Sequence, residues 1–275
     1  MQLRNLGHTG ITWPFTPAGA KQAIREVADL NYSGIELFGF VIDAYPGGTE
    51  AVRADLEEAG LGLAAAYCPV SLVEPSERDT DLASMERWAA QVAQLGGEVV
   101  VVGPSPRRRD HYDADDYRHV CSMLNEIAKR CLALGVTACF HPHTGTPVES
   151  RQEIAQVMDN VDAGVVRMAP DTGQIAKGGA DPVEVVGTYA SLIRHIHLKD
   201  YVGGTPVVAE GKEVDRTGWL DYVPLGRGVV DVAAIIKSLG REYPGWWMVE
   251  LDGTDASPEP ARMSAATSKQ YLEAL

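Results

Sequence analysis

Short runs of β-branched and other apolar residues alternate along the chain with longer stretches whose apolar positions recur every three or four residues. The first kind reads as buried strands and the second as helices laid against them. Strands are predicted near Leu3 to Leu6, Gly34 to Phe38, Leu61 to Tyr67, Glu98 to Val102, Val136 to His141, Val165 to Ala169, Leu192 to His197, and Trp246 to Leu251. The clearest helical stripes are Leu82, Met85, Trp88, Val92, Leu95 and Tyr117, Val120, Leu124, Ile127, Cys131, both read as packing faces. Gly60, Gly96 and Gly135 stand where helix C-caps belong, each shortly before a strand.

Eight strands, each followed by a helix, define an α/β protein, and at this length the natural closure is one (β/α)8 TIM barrel spanning residues 1–275. A doubly wound open sheet is the weaker rival, because the first strand-to-helix turn, with Gly7, His8 and Gly10, lacks the G-x-G-x-x-G nucleotide fingerprint. The longest connection, 201–228, is rich in glycine and charge and follows strand seven, so it is expected over the active face as a lid.

Composition changes this picture little. Apolar residues at 45% and charged residues at 23% suit a globular protein with a substantial core. The formal charge of -14 disfavours nucleic acid and anionic membranes as partners. The one basic run, Arg107 to Arg109, is followed at once by Asp110, Asp113, Asp115 and Asp116 and reads as a solvated loop. Cys68, Cys121, Cys131 and Cys139 lie in apolar settings without C-x-x-C spacing, as reduced buried thiols would. With no secretory leader and no apolar run of the ~20 residues that span a bilayer, a cytoplasmic location is expected. A homo-oligomer is compatible with all of this.

The chemistry gathers at the carboxyl ends of the later strands, where a barrel builds its active site. Strand five ends in HPHTGTPVE, strand six leads into PDTGQ, strand seven ends in RHIHLKD, and strand eight in VELDG. Alternate side chains on a strand share a face, so His141, His197 and Glu250 are expected inward at the mouth, above Cys139, His195 and Met248. Asp171 follows just past strand six. Arg167 fits this parity badly, since it too would point inward, near the bottom. Two imidazoles and two carboxylates from consecutive strands suit one Mn²⁺, Co²⁺, Zn²⁺, Fe²⁺ or Mg²⁺ ion.

These motifs, with GIELF at 34–38 and PLGRG at 224–228, resemble the xylose isomerase-like TIM barrels, a family of sugar isomerases and epimerases, inosose and 3-dehydroshikimate dehydratases, and AP-endonuclease-type nucleases. HPH and HLKD look closest to the inosose-dehydratase-like branch. The resemblance implies a metal, with manganese favoured, on His141, Asp171, His197 and Glu250, with the choice between His141 and His143 left open. It departs from the pattern at strand five, where many isomerases carry a glutamate, and after DTG, where Gln174 stands in place of a common histidine.

Such a metal would let an enzyme enolise a small keto-polyol or keto-sugar, with Glu250 as base and His143 or Lys199 as acid. An acid–base pair of this kind suits dehydration of an inosose-like substrate; isomerisation or epimerisation, cleavage of 3-oxo-glycosides with a small partner subunit, a DNA-repair nuclease and a non-catalytic sugar-binding barrel are the alternatives. Lys199 could instead be a surface lysine paired with Asp200. Glu36, at the end of an apolar strand, must pair or face the substrate. Glu36, Gln174, Trp13 and Tyr67 are the substrate-binding candidates, with Phe38 beside them. A phosphorylated substrate is not expected, although Lys212, Arg216 or Arg227 could hold one.

Overall fold

Asn5 adopts a left-handed φ of 51°, and the first strand, β1 (Leu6–Thr9), begins beyond it, three residues later than its apolar run suggests. The computed structural model describes residues 3–105, 108–203, 221–240, 242–252 and 260–275. A 3-10 turn at Gly10–Thr12 leads to α1 (Pro17–Asp29), then β2 (Gly34–Phe38), α2 (Gly39–Asp43), α3 (Gly48–Ala59), β3 (Gly62–Val70), α4 (Arg78–Gln94), β4 (Val99–Pro104) and α5 (Ala114–Ala133). There follow β5 (Thr137–Phe140), α6 (Arg151–Met158), β6 (Arg167–Met168), α7 (Thr172–Lys177), α8 (Pro182–Tyr189), β7 (His195–Leu198), β8 (Asp200–Tyr201), β9 (Tyr222–Val223), α9 (Val232–Leu239), β10 (Trp246–Val249) and α10 (Ala261–Ala274).

Eight of these strands pair in parallel in the order β6-β5-β4-β3-β2-β1-β10-β7. Bridges between Met168 and Ile193 and between Asp171 and His197 join the two ends, closing a (β/α)8 barrel. Gly60, Gly96 and Gly135 all take positive φ at helix ends, as their positions before strands predict.

Period two along the strands divides the core. Val100 and Val102 face the layer between sheet and helices, with Ile24, Leu124 and Ile154, whereas Val99 and Val101 join Ala65, Cys139 and Ala169 in a separate small cluster inside the barrel. Those small side chains fill one side of the interior. The other side, contributed by β2, β7 and the end of β10, carries Glu36, His195, His197 and Glu250, all buried. Arg167, which parity would turn inward, lies at the start of its two-residue strand, and its guanidinium turns back onto the carbonyls of Ala163 and Val166.

β8 and β9 form a separate antiparallel pair at either end of the long connection after β7. The middle of that connection, 204–220, including Lys212, Arg216 and the body of the expected lid, lies outside the described residues. Arg227 is exposed. Asp200, fully buried, organises the far side of the connection: its carboxylate accepts from the backbone N–H groups of Tyr201, Gly226, Gly228 and Val230 at 2.9 to 3.0 Å. A Cβ on Gly228 would lie 2.2 Å from Asp200 Oδ1, which explains the second glycine of PLGRG.

Candidate active site

The turn after β6 shows how the chain positions its acids. Asp171 is the N-cap of α7, and its Oδ1 accepts from the N–H groups of Gly173 and Gln174 at 2.9 and 3.0 Å. Thr172 Oγ1 donates to the Lys199 carbonyl at 2.6 Å and accepts from the Lys199 N–H at 2.9 Å, stitching the DTG turn to the end of β7. A Cβ on Gly173 would sit 2.7 Å from Lys199 Cγ, so only glycine lets the lysine stem pass.

This packing leaves Asp171 Oδ2 buried, 3.1 Å from Lys199 Nζ but without an aligned hydrogen bond. The same ammonium lies 2.7 Å from Glu250 Oε1 and 2.6 Å from Asp252 Oδ1, and 4.4 Å from the centroid of the Tyr222 ring. Lys199 is wholly buried and is not paired with Asp200. His197 lies on the other side of Glu250, with Nδ1 2.8 Å from Oε2, while its Nε2 is 3.0 Å from Glu36 Oε2. His141, just past β5, donates from Nδ1 to the Ala169 carbonyl at 3.1 Å, which leaves Nε2 as its free nitrogen. Its ring centroid is 4.8 Å from that of His197.

One ligand atom each from His141, Asp171 and His197 lies within 4.8 Å of the others, and Glu250 touches His197. The donor set, two imidazoles and two buried carboxylates, one with an oxygen lacking a hydrogen bond, fits a divalent cation. Of the two strand-five histidines, His141 belongs to this group. His143 stands outside it, half-buried, with Nδ1 2.7 Å from the Thr144 carbonyl and its ring centroid 5.8 Å from that of His141.

Burial and close opposite charges set the protonation of the cluster. Burial raises Glu250, but His197 and Lys199 hold it well below the ordinary carboxylate range. Burial likewise opposes ionisation of Glu36, and His197 and His195 bring it below its usual value. Asp171 goes the other way: burial outweighs Lys199 and lifts it to about 6. Asp252 is raised for the same reason. Burial works against a charge on His197 and Lys199, yet Glu250 and Glu36 raise the first, and Asp171, Asp252 and Glu250 the second, each well above its ordinary value. His141, His143 and His195 are all lowered, by burial first.

Beside this cluster a cleft of about 310 Å³ is lined by Phe15, Phe38, Tyr67, His143, Glu36 and Glu250, among others. Phe15, Phe38, Tyr67 and His141 form a run of edge contacts at centroid distances of 4.8 to 5.4 Å. Trp13 is not part of this wall, contrary to the sequence reading. It is buried, gives its indole N–H to Glu26 of α1 at 2.8 Å and packs edge-on against His8, so its ring is committed to the core. Glu36, expected to pair or to face the substrate, has Oε2 engaged by His195 and His197. Gln174 is buried; Oε1 accepts from Tyr222 at 2.7 Å and from Thr144, while Nε2 has no partner.

Asp252, Tyr222 and Phe15 were missed by sequence reasoning. Asp252 was within reach of it, since strand parity places it on the same side as Glu250.

The fold and this cluster define a barrel enzyme-like site, and the chain belongs to the xylose isomerase-like TIM barrel family, whose model matches residues 24–274. Among its relatives are inosose dehydratases of Geobacillus kaustophilus (strain HTA426), 27% identical over 92% of this chain and 86% of the relative, and of Lacticaseibacillus casei, 26% identical over 92% and 89%. Similar solved structures include a probable 3-DHS dehydratase, AsbF, from Bacillus anthracis (TM-score 0.74, 16% identity, 92% of each chain). A zinc-bound IOLI protein is another (TM-score 0.76, 16% identity, 98% of this chain and 96% of that one).

Proposed function

We propose that the protein is a divalent-metal-dependent dehydratase of a small keto-polyol, an inosose or a close analogue. The observation that carries this reading is the buried contact of Lys199 Nζ with Glu250 Oε1 at 2.7 Å, beside the His141, Asp171 and His197 cluster: a carboxylate base and an ammonium acid share one wall of the site. The inosose dehydratases among the relatives support the same substrate class.

His141, Asp171, His197 and Glu250 would hold the ion, for which Mn²⁺ is favoured, with Co²⁺, Zn²⁺, Fe²⁺ and Mg²⁺ also suited to the donors. When bound, such an ion would polarise a substrate carbonyl and acidify the neighbouring C–H.

Glu250, held ionised by His197 and Lys199, takes that proton on a carboxylate oxygen. The C–H electron pair becomes the C=C bond of an enone as the C–O bond at the β carbon breaks, and a proton from Lys199 lets the hydroxyl leave as water, with His143 beside the leaving group in the cleft. With a glutamate in place of His141, a symmetric two-base exchange would be available; with an imidazole there, a pairing of Glu250 with an acid suits elimination at least as well. Tyr67 and Phe38 cover the apolar face of the ring, and the free Nε2 of Gln174 meets a substrate oxygen.

The test is to supply the purified protein with Mn²⁺ or Co²⁺ and present inososes, keto-hexoses and 3-oxo-glycosides in D₂O. Appearance of enone absorbance with an inosose is the expected result. Deuterium entering recovered keto-sugar without loss of water would favour an isomerase or epimerase instead.

A further inference from the structure

Glu36 is the acid that neither the proposed ion nor the proposed proton transfers use. It is 3% exposed, and one oxygen, Oε2, lies 2.7 Å from His195 Nε2 and 3.0 Å from His197 Nε2. β2 and β7 are not neighbours, since β1 and β10 stand between them, so the contact crosses the barrel interior.

The sequence makes room for that reach. β3 opposes β2 with a run of small residues, and the pairing register slips between Ile35 and Glu36, whose partners are Leu63 and Ala65; Ala64 is the extra residue of this bulge. A bulge of this kind re-aims the side chains around it. Ala64, Ala65 and Ala66 are all wholly buried. In β1, Gly7 is small because a Cβ there would lie 2.7 Å from Met248 Cε and 2.8 Å from the Gly34 carbonyl.

We propose that Glu36 is a positioning residue: it holds the Nε2–H of His197, so that Nδ1 is the nitrogen turned to Glu250 and the cation, while His195 braces Glu36 from below. A carboxylate accepting at one imidazole nitrogen settles the tautomer and raises the donor strength of the other. A nitrogen that must donate to Glu36 cannot also serve as a ligand, and the other, Nδ1, lies 2.8 Å from Glu250 Oε2. His195 completes the arrangement from the layer beneath. Its Nε2 serves Glu36, and its Nδ1 is buried with no hydrogen-bond partner.

This inference rests on the metal-centre reading above, and the experiment separates the two. The parent protein, Glu36→Gln and His195→Phe are stripped and titrated with Co²⁺ against a chromophoric chelator, and the visible d–d spectrum of each loaded form is recorded. Glu36→Gln keeps the shape but removes the charge; His195→Phe leaves Glu36 in place without its brace. The parent takes up one ion; Glu36→Gln binds it about 10- to 100-fold more weakly with a shifted spectrum, the usual cost of losing such a partner. His195→Phe moves both in the same direction by less.

A parent that binds nothing overturns the metal-centre reading. A parent that binds one ion, with both variants matching it in affinity and spectrum, overturns the role of Glu36 alone. If Glu36→Gln misfolds by circular dichroism, His195→Phe decides, and an unchanged spectrum there counts against the proposal.

Discussion

Lys199 Nζ lies 2.7 Å from Glu250 Oε1, with Asp171 Oδ2 at 3.1 Å and Asp252 Oδ1 at 2.6 Å, and all four side chains are buried. One ammonium therefore offsets part of the charge of three carboxylates, two of them proposed metal ligands. Removing it leaves buried charges without compensation, which costs about 3–5 kcal/mol. Lys199→Met should lower the unfolding free energy of the metal-free protein by an amount of that order. Added Mn²⁺ should restore more stability to the variant than to the parent, while turnover falls by about 100-fold or more. Urea unfolding with and without metal checks this; equal stability of parent and variant without metal would count against the charge assignment.

The two histidines of HPH should separate cleanly. His141→Asn is expected to abolish uptake of a divalent ion, because His141 Nε2 is the nitrogen left free toward Asp171 and His197. His143→Asn should bind the ion as the parent does and lose turnover, since its ring lines the cleft outside the cluster. Equilibrium dialysis followed by elemental analysis distinguishes them, and loss of metal from His143→Asn would reverse the assignment.

Acidity should act oppositely on the metal-free fold and on metal binding. Asp171, raised to about 6 chiefly by burial, contributes stability that is complete below its unfolded value of 3.8 and lost as pH climbs to about 6. His197 is raised well above 6.5 because Glu250 and Glu36 outweigh its burial, so its contribution is complete below 6.5 and lost as pH rises through the folded value. The metal-free protein should thus lose stability from these groups between about pH 4 and 6, and again above neutrality. Metal affinity should rise over the same span, because the ion displaces protons from these ligands. Thermal melts across pH, with and without Mn²⁺, would contradict this if the two series ran parallel.

Asp200 should matter to the connection after β7 and not to the ion. Its carboxylate takes four backbone N–H bonds, and hydrogen bonds to a charged group are worth about 1.5–3 kcal/mol each before relaxation. Asp200→Ala is expected to destabilise the fold by about 3 kcal/mol or more and to raise KM while metal stoichiometry stays at parent level. Denaturant titration and metal analysis of the same sample test both halves, and loss of the metal would tie Asp200 to the cluster instead.

The elements carried by local pattern were legible in the sequence. GIELF is the strand β2 as read, and two-residue alternation puts His141, His197 and Glu250 together at the mouth. What escaped depends on contacts between distant parts of the chain. Trp13 was read as a substrate aromatic because nothing nearby in sequence announces Glu26 as the acceptor of its indole N–H. The start of β1 was misplaced because Leu3 looks like strand, whereas the positive φ of Asn5 separates it from the pairing residues Gly7, His8 and Thr9. Glu36 could be read as needing a partner, but His195 and His197 as that partner follow only from closure of the barrel across β1 and β10.

The most direct test of the central claim is an elemental assay of protein purified without chelator and then dialysed against Mn²⁺, set beside Asp171→Ala. One tightly held divalent ion per chain, absent from the variant, is the predicted result. A parent that remains empty, or a variant that binds the ion equally well, would contradict a metal centre on His141, Asp171, His197 and Glu250.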